Sequence, residues 1–460
     1  MIKDVETIKN IILQAKEKAC AETCNEPDPD LVDQVKWPVS CTVGPGLEGA
    51  IASETKIGYV NGSKGWLIYR GYDIFDLCAY STFEEVSFLL MHGYLPNKKE
   101  LKKFKDSLIK YRKLNQTLRI LMGFPVEEMN AMSALRLGTN MMRQEFTLVD
   151  KGDSRPSSSS AIYSDEDSIP METPPKGEKK AIYEFKKGEA KKTPIEEACG
   201  LDACYHLISG ISTITAAIAR IFQNKLPIEP NAKLSHAGNL LYMMTGKVPN
   251  PVEERIMDIC LILHADHGIN ASTFTAMVVA STLSDIYLST GSAIAALSGR
   301  LHGGANEEVI NMLKEIGSPD NVEQWLAEKM ANKSKISGFG HRVYKAYDPR
   351  ARILGALAYN FSTNDTESQN LFKTAAELEK QVMQNLSVNK KVFPNVDFYS
   401  GLIYKSLGID SKLFTNIFAV ARVSGWTARV FEYLKHNRIF RPRAIYTGEF
   451  NKEYKNINER

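Results

Sequence analysis

No two of the seven cysteines stand in a CxxC pair, and their number is odd and low for 460 residues. That excludes a disulfide-stapled secreted scaffold and a zinc-ribbon site, and predicts reduced thiols in a cytoplasmic compartment. Cys20 and Cys24, four apart, are too little for a metal or redox centre. Net charge is scarce as well: +3 formally, with a pI near 8.3, which is no footprint for nucleic acid. HExxH is missing. No uncharged apolar run reaches the roughly 18 residues of a membrane span. The opening stretch MIKDVETIKNIILQAKEKA has early acids and no apolar core, so it reads as neither a secretory signal nor a transit peptide. The closing INER is no retention or peroxisomal address.

What is present is apolar content of 43% against 24% charged, enough for a large core and for two or more domains. Helical periodicity runs through 196–224, 252–283, 307–316, 322–331, 371–386 and 412–434. A hairpin is expected from 57–60 and 66–69, with a turn at Asn61-Gly62. STFEEVSFLLMHGYLP reads as a helix with a capping box of Ser81 and Glu84, stopped by Gly93 and Pro96. The fold class is therefore mainly α, with a small N-terminal β-hairpin. Residues 151–194 hold a serine run, an acidic patch and a lysine-rich end. They are expected to be a disordered or surface excursion, because they bury too little to offset chain entropy.

Chemistry concentrates in a few segments. LILHADHGINAST places His264 and His267 at i and i+3 on a helix, so they are expected to share a face; a zinc site needs a further ligand. In ALSGRLHGGANEEVINML, His302 lies before a helix start, where the dipole disfavours imidazolium. A neutral imidazole there suits donation to a developing oxyanion. SGFGHRVYKAYDPRAR sets His341 among glycines, followed by Lys345 and Arg350. In KKVFPNVDFYSGLIY, Asp397 follows an apolar run; desolvation would raise its pKa and suit it to proton abstraction. Arg422 in AVARVSGW and Arg441 in RIFRPRAIYTGEF sit in apolar or Pro-flanked settings, where an arginine needs an anionic partner. Two imidazoles, one acid and three arginines on separate elements suit a small polycarboxylate with a carbonyl, plus a carbon acid beside a thioester.

These segments, with GLEGAIASETKIGYVNG, LIYRGYDI and STFEEVSFLLMHGYLP upstream, resemble the signature stretches of citrate synthases, in order from 46 to 450. The resemblance implies a two-domain helical fold: a large domain from 1–302 and 408–460, and a small domain from 303–407. It implies a homodimer, with no nucleic-acid or membrane partner. It implies His302, His341 and Asp397 as the catalytic residues. Oxaloacetate would be held by His267, Arg350 and Arg422, and by Arg441 from the partner subunit. Gly338, Phe339 and Gly340 would border coenzyme A, with Lys345 and Lys390 at its phosphates. No metal or prosthetic cofactor is implied; the coenzyme A thioester is a substrate. The 151–194 excursion departs from the family pattern. A 2-methylcitrate synthase using propionyl-CoA, and a non-catalytic helical scaffold with the same fold, are the alternatives.

Overall fold

The computed structural model describes residues 2–29, 35–149, 179–181, 200–361, 366–387 and 392–460. Among them 17 α-helices dominate, beside one three-stranded and one two-stranded sheet.

Helix α1 (Val5–Glu22) starts where the Asp4 carboxylate accepts the Thr7 N–H at 2.7 Å, satisfying a donor the helix leaves free. Ile8, Ile12 and Ala15 recur at helical spacing and are buried. Through this stripe α1 packs on α2 (Ile74–Tyr80) and on α14 (Pro349–Asn360). Ile12→Ala is expected to lower unfolding stability by about 2–5 kcal/mol, the usual range for a fully buried isoleucine. Urea unfolding with an unchanged m-value checks it.

Strand β1 (Gly58–Asn61) pairs antiparallel with β2 (Trp66–Tyr69), and β3 (Tyr72–Asp73) adds to the other side of β2. The hairpin lies where the sequence puts it, but its turn does not. Asn61 still pairs with Trp66, so the loop is 62–65. The reason is tertiary: the Gly62 carbonyl accepts the N–H groups of Lys345 (2.9 Å) and Ala346 (3.1 Å), which moulds the tip onto a distant loop. The capping box also shifts by one residue. Thr82 and Glu85 form it at the start of α3 (Phe83–His92), whereas Ser81 ends α2 by donating to the Leu77 carbonyl.

α4 (Lys98–Lys110), α5 (Asn115–Leu121) and α6 (Ala131–Met141) follow. β4 (Thr147–Val149) pairs with β5 (Lys179–Ala181). That pairing gives one triplet of the 151–194 excursion a partner; the remainder of that expectation lies outside the described residues. α7 (Gly200–Ile221) is the one described helix long and apolar enough to cross a membrane, and most of it is buried within the fold. α8 (His236–Thr245) packs on it.

The periodic stretch 252–283 is not one helix. α9 (Pro251–His264) stops, and α10 (Ala271–Ser281) begins after Asn270, whose side chain accepts the Thr273 N–H. α11 (Ile286–Leu297) completes this group. α12 (Ala305–Ile316), α13 (Val322–Ala331), α14, α15 (Thr366–Val382) and α16 (Val396–Ser406) pack chiefly on one another. The last helix, α17 (Phe414–Leu434), runs through the core against α3, α7, α9, α10 and α11. Its Gly425 donates to the Ala265 carbonyl at 3.0 Å, and a Cβ there would stand 2.3 Å from that oxygen. Only glycine lets α17 approach the 265–270 turn this closely.

Candidate active site

The 265–270 turn is anchored before it carries chemistry. Tyr69 donates its hydroxyl to the Asp266 carbonyl at 2.8 Å. The Asp266 carboxylate takes two bonds from Arg429 of α17, at 2.6 and 2.7 Å. Burial alone would raise the Asp266 pKa, but Arg429 holds it below the usual carboxylate range. A buried charge of this kind persists because it is paired.

On this turn His267 faces His341 and Tyr344. The two imidazole centroids are 5.2 Å apart, and His267 Nε2 lies 3.2 Å from the Tyr344 hydroxyl. His341 Nδ1 accepts the peptide N–H groups of Val343 (3.0 Å) and Tyr344 (3.2 Å). A peptide amide only donates, so the proton of a neutral His341 sits on Nε2. His302 repeats the device in mirror form. Its Nε2 accepts the Ser272 N–H at 3.3 Å, which leaves the proton of a neutral His302 on Nδ1; the Ser272 hydroxyl lies 2.8 Å from both that Nε2 and Asn270 Oδ1. Trp426 fixes Ser272 by donating to its Oγ at 3.1 Å. Burial pushes the His302 pKa down to about 4, with Arg422 adding to it. Burial likewise takes His341 to about 4, against the pull of Asp348. His267 is driven well below the usual range by burial and then by Arg350. The three imidazoles are neutral at physiological pH.

Two arginines supply positive charge. Asp348 caps α14 and binds its own neighbour: Oδ1 accepts the Arg350 N–H (2.9 Å) and Nε (3.0 Å), and Oδ2 accepts Nη2 (2.8 Å). Arg422 is 1% exposed on α17. Its Nε donates to the His264 carbonyl, while its Nη2 is buried with no hydrogen-bond partner among the described residues. Burial pushes its pKa down to about 10. A buried guanidinium with unused donors is a ready place for a carboxylate.

Asp397 lies in the first turn of α16, where Asn395 accepts its N–H at 3.0 Å. Its Oδ1 is buried with no hydrogen-bond partner among the described residues, and burial raises its pKa to about 6 against the opposing charge of Arg350. The segment before His341 is tied to the segment before Asp397. Gly340 donates to the Phe393 carbonyl and Asn395 to the Gly338 carbonyl, each at 2.8 Å. Gly338 has φ +80°, and a Cβ there would stand 2.8 Å from both Phe398 and Val309. The cross-brace holds one imidazole and one basic carboxylate in fixed relation. The whole arrangement can bind a small anion, donate two neutral imidazole N–H groups to carbonyl oxygens and take a proton from carbon.

The family model described as "Citrate synthase, C-terminal domain" matches residues 46–443. The chain belongs to the citrate synthase family. Membership makes it an acyltransferase that converts the acyl group to an alkyl group on transfer. The citrate synthase of Deinococcus radiodurans is 40% identical over 419 residues, covering 91% of this chain and 99% of the relative. That of Synechocystis is 39% identical over 415 residues, covering 90% and 93%. Among solved structures, the Pyrobaculum aerophilum citrate synthase superposes with a TM-score of 0.75 at 35% identity, covering 94% and 100%. The Thermoplasma acidophilum citrate synthase, a ternary complex with carboxymethyl coenzyme A and oxaloacetate, does so with 0.77 at 30%, covering 92% and 100%. The relatives' names do not favour the methylcitrate reading.

Of the citrate synthase residues expected from sequence, His267, His341 and Arg350 share one cluster, and the charge of Arg422 bears on His267, His302 and Asp397. Gly338, Phe339 and Gly340 form the brace. Arg441 is exposed beyond α17. The Lys345 side chain is exposed, and Lys390 lies outside the described residues. Two readings are corrected. His264 and His267 do not share a helical face, because α9 ends at His264, whose Nδ1 bonds the Cys260 carbonyl at 2.8 Å. Among the described residues, no three of His, Cys, Asp or Glu are grouped to hold a metal. The neutrality of His302 comes first from burial rather than from a helix dipole, since α12 starts three residues later. Ser272, Tyr344 and Asp348 carry the positioning bonds that sequence reasoning left unassigned. Only Asp348 had a local signal, as a helix-capping residue before Pro349.

Proposed function

We propose that the chain condenses acetyl-CoA with oxaloacetate and water to give citrate and CoA. The observation that carries this reading is the Asp397 carboxylate, whose Oδ1 is buried with no hydrogen-bond partner among the described residues and whose pKa is raised to about 6, in the field of two buried arginines. Asp397 takes a methyl proton from acetyl-CoA. His302 Nδ1–H binds the thioester oxygen as it becomes enol-like, with no imidazolium needed. His341 Nε2–H polarises the oxaloacetate ketone and delivers the proton to the new alkoxide. Arg350, Arg422 and His267 hold the dicarboxylate. Water then cleaves the citryl thioester. Coenzyme A enters as substrate, bordered by Gly338, Phe339 and Gly340, with Lys345 and Lys390 at its phosphates; no resident metal or prosthetic cofactor takes part.

We also read 303–407 as a small domain that closes on the rest and excludes water during condensation. A homodimer completes the site through Arg441. The surface supports this: beyond α17, Ile439, Ile445, Tyr446, Phe450, Tyr454 and Ile457 are exposed on one terminal segment, apolar side chains that a second subunit would cover. The odd and low number of cysteines supports a reducing, cytoplasmic setting.

Thiol release from acetyl-CoA and from propionyl-CoA, each with oxaloacetate, tests the reading. Acetyl-CoA is expected to give the higher kcat/KM, by roughly 10-fold or more, since one methylene is worth about 1–3 kcal/mol. Preference for propionyl-CoA would make it a methylcitrate synthase; no release with either would leave a scaffold.

A further inference from the structure

On the reading of this site as an oxaloacetate site, we propose that Tyr344 is a positioning residue for both oxaloacetate histidines: its phenol donates to His267 Nε2 and its peptide N–H donates to His341 Nδ1. One residue thereby bears on the tautomer of two imidazoles, that of His267 alone and that of His341 together with Val343.

Three observations carry it. The first is direction. The Tyr344 hydroxyl has His267 Nε2 as its one hydrogen-bond partner among the described residues, at 3.2 Å. Tyr344 is 2% exposed. If the phenol accepted from Nε2–H, its own proton would lie buried without an acceptor, which is unfavourable. Donation satisfies both atoms, and it places the His267 proton on Nδ1, which has no hydrogen-bond partner among the described residues and is left for an anion. The second is the backbone. The same residue's amide reaches His341 Nδ1 at 3.2 Å, beside that of Val343, which leaves Nε2–H as the free donor. The third is packing. The Tyr344 ring lies 5.5 Å from His267 and 4.8 Å from His341, with the Arg350 guanidinium 5.8 Å from its centre. The hydroxyl is thus held by rings that pack on it, and burial keeps the phenol protonated, with Asp348 adding to the effect.

Tyr344→Phe keeps the ring and removes one donor. With Nε2 unpaired, His267 can carry its proton on either nitrogen, and its anion donor is no longer enforced. The expected result is an oxaloacetate Kd weakened by about tenfold, read by titration calorimetry. The KM for acetyl-CoA at saturating oxaloacetate stays within about twofold, and Tm is unchanged. An unaltered oxaloacetate Kd overturns the proposal. So does an equal loss toward both substrates with a fallen Tm, which marks a packing residue. A second measurement needs no variant. In full-length wild-type protein with 15N-labelled histidine, assigned by His267→Asn, His267 should show a protonated Nδ1 and a bare Nε2; the reverse tautomer overturns the proposal. If wild type itself neither binds oxaloacetate nor releases thiol, the reading of the site falls, and this inference falls with it.

Discussion

Asp397→Asn is expected to lower kcat by at least about 100-fold, to leave oxaloacetate binding intact and to raise thermal stability. The rate loss is the usual contribution of a positioned base. The stability gain follows from linkage. An aspartate in the unfolded chain titrates near 3.8, and burial moves Asp397 to about 6 in the fold. The native state therefore holds its proton more tightly. Asp397 contributes stability that is full below pH 3.8 and is lost as pH rises through about 6. At pH 7 to 8 the carboxylate is ionised in a partly buried position and opposes folding by something on the order of 1–3 kcal/mol. Asparagine fills the same volume without that charge. Activity runs the other way: kcat/KM for acetyl-CoA should fall with unit slope below about pH 6, as the base becomes protonated. In the asparagine variant that acid limb should vanish. Stopped-flow thiol release across pH 5 to 9, beside thermal melts at the same values, reads both effects. A variant with near-wild-type rate removes Asp397 from the mechanism. A variant less stable at neutral pH means the carboxylate is held by a contact that asparagine cannot replace.

Asp397 and Arg422 were legible in the sequence because each is a local contradiction. A carboxylate after an apolar run and an arginine inside an apolar helix both demand an explanation that the neighbouring residues do not provide. The hairpin was legible from alternation and turn residues. Its loop was not, because 62–65 is shaped by hydrogen bonds to Lys345 and Ala346, far along the chain. The capping box slipped by one because Ser81 and Thr82 carry the same chemistry, and only the path of the chain out of α2 decides between them. The break at 265–270 was hidden by apolar periodicity on both sides; the ion pair of Asp266 with Arg429 and the approach of Gly425 make it. Ser272 and Tyr344 gave no signal, since a donor that meets an imidazole 30 or 77 residues away is a product of packing. Local pattern carried element type and the polar residues out of place. The hydrogen bonds that set protonation states come from tertiary structure.

Arg441→Ala and His341→Ala are each expected to be nearly inactive alone, and to recover activity when mixed under subunit exchange. Arg441 lies on the terminal segment whose apolar residues, Ile445 at 92% exposure among them, are bare in a single chain. On the dimer reading this segment crosses to the neighbour, and Arg441 meets a carboxylate of the oxaloacetate bound there. In a closed, desolvated cleft that charge-assisted bond is strong, and its loss is felt as lost binding and turnover. On the same reading His341 acts within its own chain, where its Nδ1 is fixed by its own loop. A mixed dimer then has one site with His341 from one chain and Arg441 from the other, both intact. Its second site carries both defects. Two-fold symmetry makes this unavoidable, because each interface residue appears twice. Random exchange of equal amounts makes half the dimers mixed, so recovery is capped at about a quarter of wild-type sites. Differently tagged chains and pull-down establish that exchange took place; thiol release gives the activity. Exchange without recovery would mean that Arg441 serves its own chain or touches no substrate. Recovery above the cap would mean that one of the two variants was not inactive at its own site.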